Sequence, residues 1–484
     1  MDIPALGRRH AFLAFLAYLA FVVYGSLIPF EYRALSLDEA LNAFARIRYL
    51  NLGVVSRADW VANLVLYVPL AFLGCVWMAG MRATGAARYL APVAVFALCL
   101  AVAVAVEFTQ LFFAPRTVSL NDLLAEGLGT LGGIVLWGFG RWRIAGLWAA
   151  FAAGGRPSVL AVLVAYGLVY VVLSLFPYDF IVSARELAWK LDSGNWGWFL
   201  ADSCAEGWLR CMARLVGEAL AIAPLGLLIA LAAPNVRYRR VFGAGLALGL
   251  VLELLQLLIA SGVSQGLSVA MRGAGLVAGL ALGRTLRRYG PMPIARLAWW
   301  ATPFVALPYV LLVAALAGWF AAPWLPVGEA LARLADVRFL PFYYHYFTSE
   351  PAAMASLLAN AALYAPVGLA WWARRAARGA PGRAWSANAA LWAALLALVI
   401  EFGKLWVPGK HPDFTNLLIA AASAAWVHAL AHWIEQVLTG DRSRPAGRET
   451  PVAAVPKMRS TGEGTSLSPW ASRRRLSPTR SSVV

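Results

Sequence analysis

The run LAPVAVFALCLAVAVAV, residues 90–106, contains no side chain that water would hold. Runs of this kind recur along the chain, each about 20 residues long, enough to cross hydrocarbon as an α-helix. In a bilayer only helices and closed barrels satisfy every backbone polar group. Barrel strands alternate apolar and polar residues, and these runs are continuous, which selects helices. The chain is 61% hydrophobic and only 13% charged, about half the charge of a soluble domain. The expected fold class is all-α, a polytopic integral membrane protein with about twelve transmembrane helices. They lie near 9–29, 58–80, 89–113, 121–140, 158–176, 213–232, 239–261, 268–285, 297–319, 354–374, 384–406 and 413–433.

The connections sort by charge. Arg8 and Arg9 open the chain, and basic loops carry Arg82 and Arg88, then Arg141, Arg143 and Arg156. Further basic loops hold Arg237, Arg239 and Arg240, then Arg284, Arg287 and Arg288, then Arg374, Arg375, Arg378 and Arg383. They alternate with longer loops of mixed charge at 31–57, 177–212 and 320–353. The positive-inside rule then puts both termini in the cytoplasm. The first run has no small-residue cleavage site and reads as an uncleaved anchor. The net charge of +17 is accounted for by these loops. No basic groove with interleaved aromatics appears, so nucleic acid is not an expected partner.

Glu107, Glu253 and Glu401 each end an apolar run, 146 and 148 residues apart. A proline recurs with them, in NLVLYVPLAFL (63–73), EALAIAPLGLL (218–228) and NAALYAPVGLA (360–370). Proline-aromatic breaks end the first run of each repeat, SLIPFEY, SLFPYDF and more loosely GWFAAPW. Short amphipathic stretches follow at 38–50, 183–191 and 328–340, suited to lying along a membrane surface. The chain divides into units 1–150, 151–291 and 292–440, each of four spans plus a surface helix. Four is even, so the units are parallel repeats rather than inverted ones. Residues 441–484 are polar, rich in Ser, Pro, Gly and Arg, and are expected to form a disordered basic cytoplasmic tail, with Arg473–Arg475 facing lipid at most.

Asn63, Pro69, Glu107, Gln110, Arg116 and Asp122, in this order, resemble the motif of the VanZ-like family of membrane proteins. RFLPFYY and NAALYAPVGL match its first part in the third unit. The second unit keeps Glu253 and Gln256 but has Glu218, Gly262 and Ser268 at the Asn, Arg and Asp positions. The third keeps Asn360 and Glu401, with Lys404 for Gln, Lys410 for Arg and Asn416 for Asp, Asp413 standing close enough to compensate. The resemblance implies a multi-pass protein of the bacterial inner (plasma) membrane with a role in the cell envelope. The family is associated with antibiotic resistance, one member with low-level resistance to the glycopeptide teicoplanin. It implies no established reaction.

Glu107 and Gln110 share a helix face, Arg116 lies in the following turn, and Ser119 with Asp122 opens the next helix. A tight hairpin would bring Arg116 near Glu107 and Asp122, with Asn63 bridging to Glu107. Two readings stand open. In one, these residues are a clasp that fixes the hairpin. In the other, they line an outward-facing polar pocket in which Arg116, and Lys410 in the third unit, meets the phosphate of a membrane lipid, polyprenyl-phosphate-linked. The expected function is to bind or handle an anionic lipid-linked envelope intermediate at the outer face. The alternatives are a scaffold for an envelope protein partner, or an intramembrane enzyme acting on a phospho-lipid, for which no nucleophile is found.

Gly127, Gly129, Gly132 and Gly133 are expected to let the fourth span pack closely, and GAGLVAG (273–279) likewise. Cys75 and Cys99 fall within spans and read as buried residues, while Cys204 and Cys211, in or beside an outside loop, are a candidate disulfide. His428, His432 and Glu435 share a helix face without a further ligand nearby, so neither metal nor cofactor is expected.

Overall fold

The apolar runs form helices throughout. A computed structural model describes residues 7–442 apart from 52, 82, 83, 206, 322 and 381–384. The expected tail from 443 onward, and Arg82 and Arg383, lie outside the described residues. The first four spans are α1 (Arg8–Leu27), α3 (Val54–Ala79), α4 (Ala87–Gln110) and α5 (Leu120–Val135), with the short helix α2 (Leu37–Phe44) after α1. A π-helical turn at Leu136–Gly140 carries α5 into α6 (Arg141–Ala152). Next come α7 (Gly155–Ser174), the short α8 (Ala184–Asp192), α9 (Trp208–Ala232), α10 (Tyr238–Gln256) and α11 (Gly266–Tyr289). The last set is α12 (Pro291–Leu316), short α13 (Val327–Ala332) and α14 (Tyr343–Tyr346), α15 (Glu350–Ala377), α16 (Trp385–Gly403) and α17 (Phe414–Arg442).

Among the described residues, 11 helices are long and apolar enough to span a membrane. The helix expected to make a twelfth, α10, has 19 residues and carries Arg239, Arg240 and Glu253. A second difference lies at 141–156, where a basic loop is expected. The helix instead runs on, and Leu120–Ala152 is one 33-residue helical stretch. Arg141 lies inside it, buried. Its guanidinium lies 4.5 Å from the Trp137 ring centre and donates through Nη1 to the Trp137 and Gly138 carbonyls, so the cation is held within the helix rather than in a loop. The chain is an all-α, multi-pass membrane protein.

The recurring prolines have a consistent consequence. Proline lacks an N–H and its ring pushes away the preceding turn, opening carbonyls to other donors. In each case a tyrosine from an earlier span reaches the carbonyl three residues before the proline. Tyr18 donates to Leu66, Tyr166 to Ala221 and Tyr309 to Leu363, at 3.1, 2.6 and 2.7 Å, ahead of Pro69, Pro224 and Pro366. Such bonds contribute about 0.6 kcal/mol on average between membrane helices.

Close approach through glycine then sets which helix faces meet. A Cβ at Gly133 of α5 would run into the Val68 carbonyl of α3, and one at Gly279 of α11 into the Ala223 carbonyl of α9. Gly129 is equally crowded, against Leu64, whereas Gly127 faces open space and Gly132 makes only ordinary contact. Two of the four expected packing glycines therefore carry the contact.

The end of the bundle that holds Glu107, Glu253 and Glu401, the motif end, is tied by its loops. β1 (Glu31–Tyr32) pairs antiparallel with β2 (Phe113–Ala114), and the corresponding bridge in the next set joins Phe180 to Ile259. β3 (Trp196–Gly197) pairs parallel with β4 (Ser264–Gln265). A disulfide joins Cys204, in the loop before α9, to Cys211 in the first turn of α9, and Cys75 and Cys99 are free and buried. Contacts also cross between sets of spans. Arg57 forms a bidentate pair with Glu186, at 2.8 and 2.9 Å. Tyr24 donates to the Pro341 carbonyl and Tyr343 to Glu31.

Candidate functional site

A glutamate at the end of an apolar helix needs a partner, and the next helix supplies it. Gln265 and Asp413 stand at the starts of α11 and α17. Their backbone amides donate to Glu253 Oε2 and Glu401 Oε2 at 2.6 and 2.8 Å. Ser119, the N-cap of α5, brings its backbone amide toward Glu107 at the matching place. A helix N-terminus presents unsatisfied N–H groups and a partial positive charge. One carboxylate oxygen in each hairpin answers both, and all three glutamates are buried.

The glutamine one turn later ties the hairpin to the earliest span. Gln110 donates to the Ser26 carbonyl at 2.9 Å and Gln256 to that of Ser174 at 3.0 Å. Lys404 occupies this place in the third hairpin and turns instead to Glu401 Oε1, 2.7 Å away.

The second carboxylate oxygen is treated differently in the three places. Glu253 Oε1 is paired with Arg272 of α11, which also faces Glu218 at 3.8 Å and donates to the Tyr170 hydroxyl. Glu401 Oε1 accepts from Lys404 and from Asn416 Nδ2, at 2.7 and 2.9 Å. Glu107 Oε2 has no hydrogen-bond partner among the described residues. Where α11 has Arg272, α5 has Glu126, buried as well, with Oε2 also unpartnered. The Tyr67 hydroxyl, fully buried, faces Glu126 and lies within electrostatic reach of Glu107.

Around Glu107 the expected contacts are redistributed. Asn63 does not bridge to Glu107; its Nδ2 donates to Asp122 Oδ1 at 2.9 Å. Asp122 also accepts from the Ser119 hydroxyl at 2.7 Å and makes no ion pair with Arg116. Asn121, beside it, holds the backbone of Leu50 through both its amide atoms. Arg116 is half-buried, within electrostatic reach of Glu107 and Asp59, and 5.3 Å from the centre of the Tyr346 ring. It has no ion pair within 4 Å among the described residues. Asp59 in turn lies beside Glu350, so the mouth of this site is formed by α3 and the start of α15.

In the third hairpin Asn360 turns back on its own helix, to Ser356. Asp413 caps α17 through Thr415 and faces His345 at 3.6 Å. Lys410 is exposed and is not part of the Glu401 network. His428 is hydrogen-bonded to Ser386 and His432 lies against Glu435, which Arg375 holds. No cluster able to hold a metal occurs among the described residues.

One group of residues was missed by sequence reasoning. Lys190, on α8, donates to the Ala260 carbonyl at 2.9 Å and to that of Gly262. Arg333, after α13, donates to Leu405, Val407 and Lys410 carbonyls. Arg33 donates to the Leu111 carbonyl at 3.1 Å. Each cation satisfies the carbonyls left over where the glutamate-bearing helix ends. Burial pushes the Lys190 ammonium down to about 8. The available signal was a cation inside or after two of the amphipathic stretches, in SARELAWKL and GEALARLAD, and before the first one, Arg33. In the same loops, the Cys204 sulfur lies 3.3 Å from Gln265 Oε1, so the disulfide braces the residue whose amide Glu253 accepts.

The stretch from α1 to the start of α6 contains Glu107 and the residues packed around it, apart from Tyr346 and Glu350 at the mouth. Residues 15–141 match the VanZ/LLP1 family model. That VanZ-like stretch includes Asn63, Tyr67, Glu107, Gln110, Arg116, Asp122 and Glu126. No curated protein and no solved structure gives a significant match to the chain. The chain is thus a multi-pass, envelope-associated membrane protein with a VanZ-like stretch.

Proposed function

We propose that the protein binds a lipid-linked envelope intermediate at its motif end, through the VanZ-like stretch. The lipid phosphate meets Arg116, and a hydroxyl- or amine-bearing head group meets the acceptors Glu107 and Asp122 beyond it. One observation carries this reading. Among the described residues Arg116 has no acidic partner within 4 Å and stands beside a glutamate whose Oε2 has no partner, whereas Glu253 and Glu401 are paired with Arg272 and Lys404. An arginine on an aromatic ring beside buried carboxylates suits phosphate recognition next to hydrogen-bond donors. In this reading residues 1–150, 151–291 and 292–440 are three parallel VanZ-like units with both termini inside, in the bacterial inner membrane. The equivalent tyrosine–carbonyl and glutamate–amide bonds support the repeat. The motif end then faces outward.

The fully paired Glu253 and Glu401 favour a second, structural reading for their own hairpins, as clasps that hold a scaffold for an envelope partner. Native mass spectrometry in nanodiscs of native lipid separates the two. The wild type is expected to retain a phosphate-bearing lipid that folded Arg116→Ala and Glu107→Gln variants release. Retention by both variants, or no selective lipid in the wild type, would leave the scaffold.

A further inference from the structure

At the opposite, basic end of the bundle, α12, α15 and α16 do not close against one another. Between them lies a groove of about 690 Å³, lined among others by Trp299, Val305, Tyr309, Val367, Trp371 and Arg374. The sequence makes this opening. Pro303 and Pro308 interrupt α12 and Pro366 interrupts α15, and the lining residues between Trp299 and Tyr309 include Ala301 and Ala306. Tyr309 spends its hydroxyl on the Leu363 carbonyl and Thr302 on that of Ala298, so the wall offers a guest almost no polar group. Arg374 is the one charged lining residue.

Its guanidinium lies 4.8 Å from the Trp371 ring centre and 5.6 Å from that of Trp299, where Arg378 also lies at 5.8 Å. The groove therefore combines a greasy shaft with a positive, aromatic mouth. Its length fits the same idea. From Ala298 to Val310 a helix rises about 18 Å, close to the depth of one leaflet, half of the roughly 30 Å hydrocarbon core.

We propose that this groove is a binding site for an anionic phospholipid of the leaflet at the basic end, one acyl chain lying along α12 and the head-group phosphate on Arg374 and Arg378. Tryptophans at the interface and arginines beside an apolar cleft are the chemistry that such a lipid requires. The site is separate from Arg116 and stands whether or not the motif end binds lipid.

The test titrates phosphatidylglycerol and phosphatidylcholine with identical chains into the purified full chain in detergent, read by native mass spectrometry. It is run in the Arg116→Ala background, so that the motif end contributes nothing. Phosphatidylglycerol is expected to bind about tenfold or more tighter than phosphatidylcholine. Arg374→Ala with Arg378→Ala should bring the two within about twofold, and Arg374→Lys should restore part of the preference. Ala306→Trp, which fills the exposed wall and leaves every charge in place, should lower occupancy by both lipids. Equal binding of the two lipids before substitution overturns the proposal. So does a preference that survives loss of both arginines, or an occupancy that Ala306→Trp leaves unchanged.

Discussion

Glu253 and Glu107 occupy the same place in their hairpins and accept the same kind of amide, yet their surroundings have opposite charge. Beside Glu253 stands Arg272, which also faces Glu218, itself paired with Arg214 at 3.3 Å. Beside Glu107 stand Glu126 and Asp122, with Arg116 within electrostatic reach. The backbone function of the motif is thus the same in both, and the side chains decide what else it does. A hairpin whose charges cancel internally has nothing to offer a ligand. One with unpartnered acceptors and an unpaired arginine does.

The comparison is broken most directly at Arg272. Its removal leaves Glu253 buried without its cation, which costs about 3–5 kcal/mol, while Glu218 keeps Arg214. Arg272→Ala should therefore lower the thermal midpoint and the yield of monodisperse protein sharply. Glu126→Gln, at the matching place, should leave both unchanged or raise them, because it removes a like charge from beside Glu107. An equal loss in the two variants would mean that the hairpins are held alike.

A second contrast lies at the glutamates themselves. Glu253→Gln forfeits a charge-assisted bond to Arg272, about 1.5–3 kcal/mol. Glu107→Gln keeps an oxygen for the Ser119 amide and should cost less in the same thermal melt. Smaller again is the tyrosine–carbonyl bond. Tyr166→Phe and Tyr18→Phe should each lose about 0.6 kcal/mol, and equal losses in chemical denaturation would sharpen the view that the two sets share one frame.

The smallest effect is at the contact between these sets. Hydrogen bonds from Arg57, with a further one from the Val182 amide, hold the Glu186 carboxyl down at about 2, from an ordinary 4.5. A depressed carboxylate contributes stability that is complete above its unfolded value and is lost on acidification. The gap in thermal midpoint between wild type and Glu186→Gln should be constant above pH 4.5 and close as the pH falls toward 2. A gap that stays constant down to pH 2 would remove this pair from the contact.

The spans, and the order Pro, Glu, Gln along them, were legible because runs of about 20 apolar residues leave few alternatives. The partner of each glutamate was not. Lipid and helix interior are both apolar, so α4 or α5 carries no stripe to say which face turns inward. Glu126 and Arg272 lie one turn beyond Asp122 and Ser268, and only the close approach of Gly133 to Val68 and of Gly279 to Ala223 fixes the faces on which they sit. Asn63 was placed on Glu107 for the same reason, although Asp122 is the acid it meets. The helical course of 141–152 was hidden by arginines that read as a loop, because the ring of Trp137 that shelters Arg141 is visible only in three dimensions.

The most direct test compares lipid retained by the wild type, Arg116→Ala and Arg214→Ala, each purified in nanodiscs and read by native mass spectrometry. Arg116 has no acidic partner within 4 Å among the described residues, whereas Arg214 is paired with Glu218. The expected result is that Arg116→Ala loses the phosphate-bearing lipid and Arg214→Ala keeps it. Loss in both, or retention in both, would contradict the claim that charge imbalance around Glu107 makes the first hairpin the binding site.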